Sequence, residues 1–226
     1  MPITNYLKNL KRESENSEIA SKKSMRAIMD VLRSVDDTGG EILKLSKQSI
    51  NNSINKKYKK AEIDLADAYE QIKNLDETLK NAKEIIARGI VKSEVRLAYL
   101  QNIKMDILEN DFMKAREEFL EAKILFHYLS SRKKEIIMPE EELLSNFEIY
   151  AGGLADFTGE LLRKARLDII EKKNAGDDVK KYYKDTKYVY EVLSGFAFSN
   201  KSGLRTKMEQ VKSYILKFEE LLYNLK

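Results

Sequence analysis

Two pairs of carboxylates in this chain stand at spacings that place both members of each pair on one face of a helix. In Arg116-Glu117-Glu118-Phe119-Leu120-Glu121-Ala122, Glu118 and Glu121 are three residues apart, and in Gly152-Gly153-Leu154-Ala155-Asp156-Phe157-Thr158-Gly159-Glu160, Asp156 and Glu160 are four apart. Residues at these separations are neighbours on a helix surface, so like charges there repel by a few tenths of a kcal/mol unless something offsets them. A divalent cation is one such offset, and carboxylates are the hard oxygen ligands that suit Mg²⁺ or Mn²⁺. A metal so held activates water or a hydroxyl and stabilises a phosphoryl transition state. The competing reading is a solvated face, the commoner fate of acids in a chain that is 35% charged.

Composition narrows the chemistry further. The 226 residues include no Cys, no Trp and one His, which excludes disulfide frameworks, thiolate zinc sites, Cys nucleophiles and multi-His metal sites. Catalysis must then rest on carboxylates, Lys, Ser/Thr or Tyr. The formal charge is only +4, so affinity for nucleic acid has to come from local basic patches. No apolar signal region follows the N-terminus and no segment has the uncharged length of a membrane span, so a soluble, cytoplasmic protein with no membrane role is expected.

The elements that must position these acids are helices. Gly 9 and Pro 2 leave few residues that punctuate turns, and 42% hydrophobic content suffices for a substantial core. Leu7 to Leu32 carry a helical stripe that ends near Asp36-Asp37-Thr38-Gly39-Gly40. The glycine pair costs about 2 kcal/mol inside a helix, and Thr38 with Glu41 resembles a capping box, so a fresh start at 39 is slightly favoured over continuation. Leu65, Ala68, Ile72, Leu75, Leu79, Ala82 and Ile86 mark a long amphipathic helix that stops around Gly89. A further helix opens at Ser93 and either turns at Asn110-Asp111 or runs on through 112–131.

Pro139, followed by Glu140, Glu141 and Glu142, suits a helix start, and that helix should run to about Lys173. Val179, Tyr182, Thr186, Val189, Leu193 and Phe196 mark the next helix after a loop at 174–177. Leu204, Met208, Val211, Ile215, Phe218, Leu222 and Leu225 form a closing heptad seam, which either seals the domain or pairs with another subunit. No stretch reads as a strand. An all-α, single-domain bundle of about six or seven helices over 1–226 is expected.

Softer candidates surround the acids. Arg163 lies seven residues beyond Asp156 on the same side and could contact a phosphate, although a salt bridge to a nearby acid is the favoured role. His127 is a third of the way round the helix from Glu121 and reads as a core or interface residue. Lys56-Lys57-Tyr58-Lys59-Lys60 and Lys180-Lys181-Tyr182-Tyr183-Lys184 interleave cations with aromatics, a pattern compatible with phosphate contacts and base stacking.

The run Tyr150-Ala151-Gly152-Gly153-Leu154-Ala155-Asp156-Phe157-Thr158-Gly159-Glu160-Leu161-Leu162-Arg163 resembles the signature helix of the translin superfamily, in particular its translin-associated factor X (TRAX) branch. Leu193-Ser194-Gly195-Phe196-Ala197-Phe198 resembles that family's Asp-Gly-Phe segment. Glu118-Phe119-Leu120-Glu121-Ala122, with His127-Tyr128 downstream, resembles its Glu-Tyr-Val-Glu-Ala stretch and the His-Phe beyond. The likeness is good from about 112 to 226; before that it is helix for helix, and Gly39-Gly40 has no counterpart.

The resemblance implies a translin-like helical fold, a hollow homo-oligomer, typically an octamer, with sites facing inward, and an Mg²⁺-dependent endoribonuclease acting on single-stranded RNA. It implies that Glu118, Glu121, Asp156 and Glu160 hold Mg²⁺ or Mn²⁺ and carry the cleavage, since all four acids of the catalytic branch are matched. The histidine-bearing basic segment that eukaryotic translin uses for nucleic acid is not recognisable, so Arg163, Lys56, Lys57, Lys59 and Lys60 are the remaining RNA-binding candidates. Two other readings compete: a translin-like shell that binds single-stranded RNA or DNA without cutting it, and a structural helical adaptor.

Overall fold

The computed structural model describes residues 33–34, 36–90, 95–131, 134–136, 147–171, 175–197 and 203–225, with side chains of 79 and 81–111 excepted. The stripe from Leu7 to Leu32, Ser93 and the Pro139 helix start lie outside these residues. Six helices occupy the described chain: α1 over 36–54, α2 (Tyr58–Ile90), α3 (Val95–Ser130), α4 (Phe147–Glu171), α5 (Gly176–Ser194) and α6 (Leu204–Asn224). No strand occurs among them, and no described helix is long and apolar enough to cross a membrane.

Two compact units divide the chain, one of residues 1–41 and 71–112 and the other of 42–70 and 113–226. In the first unit the described portions are the beginning of α1, the second half of α2, where Ile72 and Leu75 are buried, and the first half of α3. Here the favoured break at residue 39 is corrected: α1 is helical through both glycines, and Thr38 Oγ1 donates 2.7 Å back to the Ser34 carbonyl, as an interior residue does, instead of capping a new start. The cooperative gain of an unbroken helix outweighs the glycine penalty. Asn110-Asp111 likewise makes no turn, since α3 is continuous over 36 residues.

The second unit holds the main core. Ile42, Ile50 and Ile54 of α1 are buried, and α1 turns back into α2 through Lys56, whose φ of 60° closes the helix end. Across that hairpin Ser49 Oγ donates to the Ala61 carbonyl at 3.0 Å and Asn52 Nδ2 to Asp64 Oδ2 at 2.8 Å. Tyr58 Oη donates to the Leu129 carbonyl at 3.0 Å, tying α2 to one of the orphan acceptors at the end of α3. Helices α4, α5 and α6 pack against one another pairwise. Residues Ile149 to Ala155 are all buried, so this stretch of α4 is enclosed on every side, while Arg163, Arg166 and Ile170 further along are exposed.

One row of the α6 seam packs into this unit: Leu204, Val211 and Phe218, spaced by heptads, are buried within the chain itself, while Met208, Ile215 and Leu222 are half-buried and Leu216, Tyr223 and Leu225 stay exposed. Gly203 starts α6 at φ 69°, a left-handed value that favours glycine.

A buried polar network fastens α4 to α5. Lys164 Nζ pairs with Asp168 Oδ1 at 2.8 Å, with side chains 5% and 0% exposed, and Tyr182 Oη donates to Asp168 Oδ2 at 3.1 Å. Lys134 reaches both Asp178 and the Tyr182 ring, 4.9 Å from its centroid. Tyr128 of α3 donates to Asp185 of α5 and packs edge-on to Phe157 at 5.3 Å.

Candidate functional site

The acids are brought together where α3 crosses α4, and small residues on α4 make the crossing close. A Cβ on Gly153 would stand 2.9 Å from the Glu117 carbonyl oxygen, 3.1 Å from the Glu121 amide nitrogen and 3.1 Å from Leu120 Cβ. Backbone cannot swing aside, so only glycine permits this approach. One residue earlier, a Cβ on Gly152 would fall 2.6 and 2.7 Å from the Glu117 carboxylate oxygens, so that carboxylate lies directly on the α4 backbone. About two turns on, a Cβ at Gly159 would come within 3.2 to 3.3 Å of the Tyr214 ring and hydroxyl, which reach in from α6.

Glu118 and Glu121 of α3 and Asp156 and Glu160 of α4 therefore share one electrostatic neighbourhood. Burial, followed by the charges of Asp156, Glu118 and Glu160, holds the Glu121 carboxyl well above the usual carboxylate range, with Lys47 of α1 partly opposing. Glu121 is also the most enclosed of the four, 7% exposed. Burial raises Glu118 as well; Lys47 counters this and Glu160 adds to it. Burial and then the Glu118 charge push Asp156 up to about 7.

Three cations are interleaved with these acids. Lys207 of α6 forms ion pairs with both Asp156 and Glu117, and burial lowers its ammonium to about 8. Arg163 pairs with Glu160 Oε2 at 3.1 Å and donates to Asn51 Oδ1 of α1 at 2.7 Å. Lys47 stands near Glu118 and Glu121. Among the described residues no three acidic or histidine side chains converge on a common point at bonding distance, because Asp156 is turned to Lys207 and Glu160 to Arg163. Tyr214 completes the rim, its phenol raised by burial and by Asp156, Glu121 and Glu160, and so kept neutral as a hydrogen-bond donor.

The softer candidates fare differently. Arg163 takes the salt bridge to an acid. Lys56, Lys57, Lys59 and Lys60 are exposed on the α1–α2 turn, but Tyr58 between them is spent on Leu129 and packs edge-on to Phe126, so no free aromatic is interleaved there. In the second basic run Tyr182 is buried, Tyr183 donates to Glu219 at 2.8 Å and Lys181 pairs with Asp185 at 3.2 Å. His127 is half-buried on the last turn of α3 beside Phe126.

Glu117, Lys207, Tyr214 and Lys47 were not singled out from the sequence. Glu117 lies four residues before Glu121, and Lys207 and Tyr214 lie seven apart beside the α6 seam; each spacing is a signal that could have found them.

The sequence profile of the Translin family matches residues 23–226. No curated protein sequence matches the chain. Among solved structures, the crystal structure of apo-NeC3PO aligns with 92% of this chain and 96% of its own at 23% identity, with a TM-score of 0.72. The crystal structure of AfC3PO covers 97% of this chain and 96% of its own at 22% identity and a TM-score of 0.59. The structure of AfC3PO with duplex RNA covers 95% of each at 22% identity, again with a TM-score of 0.59. At these identities the likeness is one of fold, and with the family profile spanning all the acids and nearly the whole described chain, this protein belongs to the translin family.

Proposed function

We propose that this chain is a divalent-cation-dependent endoribonuclease of the TRAX type that cleaves single-stranded RNA inside a hollow homo-oligomer, with Glu118, Glu121, Asp156 and Glu160 as its metal-holding and catalytic residues. The observation that carries the reading is that, beyond burial, charges among these four acids raise the carboxyls of Glu118, Glu121 and Asp156 across the close glycine crossing of α3 and α4. Support also comes from family membership and from AfC3PO, whose structure with RNA is a duplex complex.

The donor set fits a hard divalent ion. Glu117, Glu118, Glu121, Asp156 and Glu160 face Lys47, Arg163 and Lys207, which leaves a formal excess of two negative charges among these side chains when all are ionised. Mg²⁺ or Mn²⁺ at the four acids would supply the positive field that polarises a scissile phosphate. One of these carboxylates would take the proton from the attacking water or 2′-hydroxyl. Tyr214 can donate to a phosphate oxygen, and Lys47, exposed beside Glu118, can meet the approaching RNA backbone.

The test incubates labelled single-stranded and duplex RNA with the purified chain, with Mg²⁺ or with EDTA, alongside Glu118→Ala and Asp156→Ala, while light scattering gives the mass. Cleavage that needs Mg²⁺, prefers single strands and is lost in both variants, at unchanged oligomer size, is expected. RNA retained without fragments under every condition would favour a binding shell; wild-type cleavage by both variants would remove the acids from the mechanism.

A further inference from the structure

Lys207 is the one cation that reaches into the acid site from α6, and its place is built from three sides. Its ammonium pairs with Asp156 of α4 and with Glu117 of α3. Glu117 in turn lies in the space that Gly152 leaves by having no side chain, with its oxygens 2.6 and 2.7 Å from where a Cβ would be. Glu117 is not one of the four proposed metal-holding acids, so it can keep hold of the lysine whatever Asp156 does. Asp156, by contrast, turns Oδ2 to the ammonium, and a metal ion drawing on that carboxylate would stand close enough to the ammonium for the two positive charges to repel. The arrangement is a cation on a tether, anchored at Glu117 and resting on Asp156.

We propose that Lys207 is the site's internal counter-ion, anchored by Glu117 against Asp156, and that a divalent cation binding at Asp156 displaces it by charge repulsion. This rests on the four acids being the metal site. Displacement replaces one positive charge on Asp156 by two on the ion, and the released ammonium remains on Glu117 at the edge of the site. The lysine then opposes metal loading and thereby sets its affinity, a role distinct from that of a salt bridge that merely joins α4 to α6.

The experiment measures Mn²⁺ binding to the full chain by electron paramagnetic resonance of the free ion, at fixed ionic strength, for wild type, Lys207→Gln and Lys207→Arg. Removing a unit charge a few ångströms from the ion should tighten Mn²⁺ binding about tenfold in Lys207→Gln, while Lys207→Arg stays within about twofold of wild type. Acetylation of Lys207 by acetic anhydride, read by mass spectrometry in the wild-type protein, should speed up when Mn²⁺ saturates the site. Equal or weaker Mn²⁺ binding by a folded Lys207→Gln, or labelling indifferent to Mn²⁺, overturns the counter-ion role and leaves the metal site standing. No Mn²⁺ binding by wild type or by Lys207→Gln overturns both.

Discussion

Replacing Gly153 by Ala tests whether the glycine crossing is what assembles the site. The new methyl would meet the Glu117 carbonyl oxygen at 2.9 Å and the Glu121 nitrogen at 3.1 Å, each several tenths of an ångström inside ordinary contact. Since both are backbone atoms of α3, relief requires the two helices to part. Such overpacking costs about 1–3 kcal/mol, against which alanine's helix preference returns about 1 kcal/mol. A net loss of up to about 2 kcal/mol, or up to about 8 °C in Tm, follows for a chain of this length. Gly40→Ala is the internal control, because a Cβ there meets nothing within 4 Å and should stabilise by about 0.5–1 kcal/mol. Urea and thermal denaturation read the stability, and Mg²⁺-dependent RNA cleavage reads the acid geometry, which a shift of this size should impair. If Gly153→Ala is as stable as Gly40→Ala and cuts RNA at the wild-type rate, the close approach is not what the glycine is for.

Two further outcomes are expected. Asp168→Ala strands the buried Lys164 ammonium and the Tyr182 hydroxyl, and should cost about 3–5 kcal/mol in urea denaturation, whereas Lys164→Met with Asp168→Leu should cost much less. Asp156, held up at about 7 by burial and Glu118, binds a proton in the folded chain that it has released in the unfolded one between the usual carboxylate value and 7. The wild-type Tm without metal should therefore fall relative to Asp156→Asn as pH rises through that window, and level off above it; parallel curves across that range would show that Asp156 titrates normally.

Periodicity located the helices well wherever an apolar stripe had to face a core, as with Leu65 to Leu75 and the α6 seam. It did not settle the events that depend on continuity: the sequence slightly favours a break at Gly39-Gly40 and allows either course at Asn110-Asp111, yet each pair lies inside one long helix, where breaking would cost the hydrogen bonds on both sides. The two acidic pairs were legible as spacings, and the resemblance to the translin superfamily is what set them apart from a solvated face. Lys207 and Tyr214 were not, since nothing local in α6 says that their side of the helix meets Asp156 and Gly159 and not solvent. The basic runs are compatible with base stacking by pattern alone, whereas tertiary hydrogen bonds engage Tyr58 and Tyr182.

All five carboxylates of the site and the three cations set against them come from one chain, and all lie within the same compact unit. On the proposed reading each chain brings all eight of these groups to its own site, so active centres would be counted by chains and not by interfaces. In mixed assemblies of wild-type and Asp156→Ala chains, output should decline in straight proportion to the fraction of altered chains, without the steep early loss that shared centres produce. Dosage, not dominance, would be the genetic signature of damage to this site.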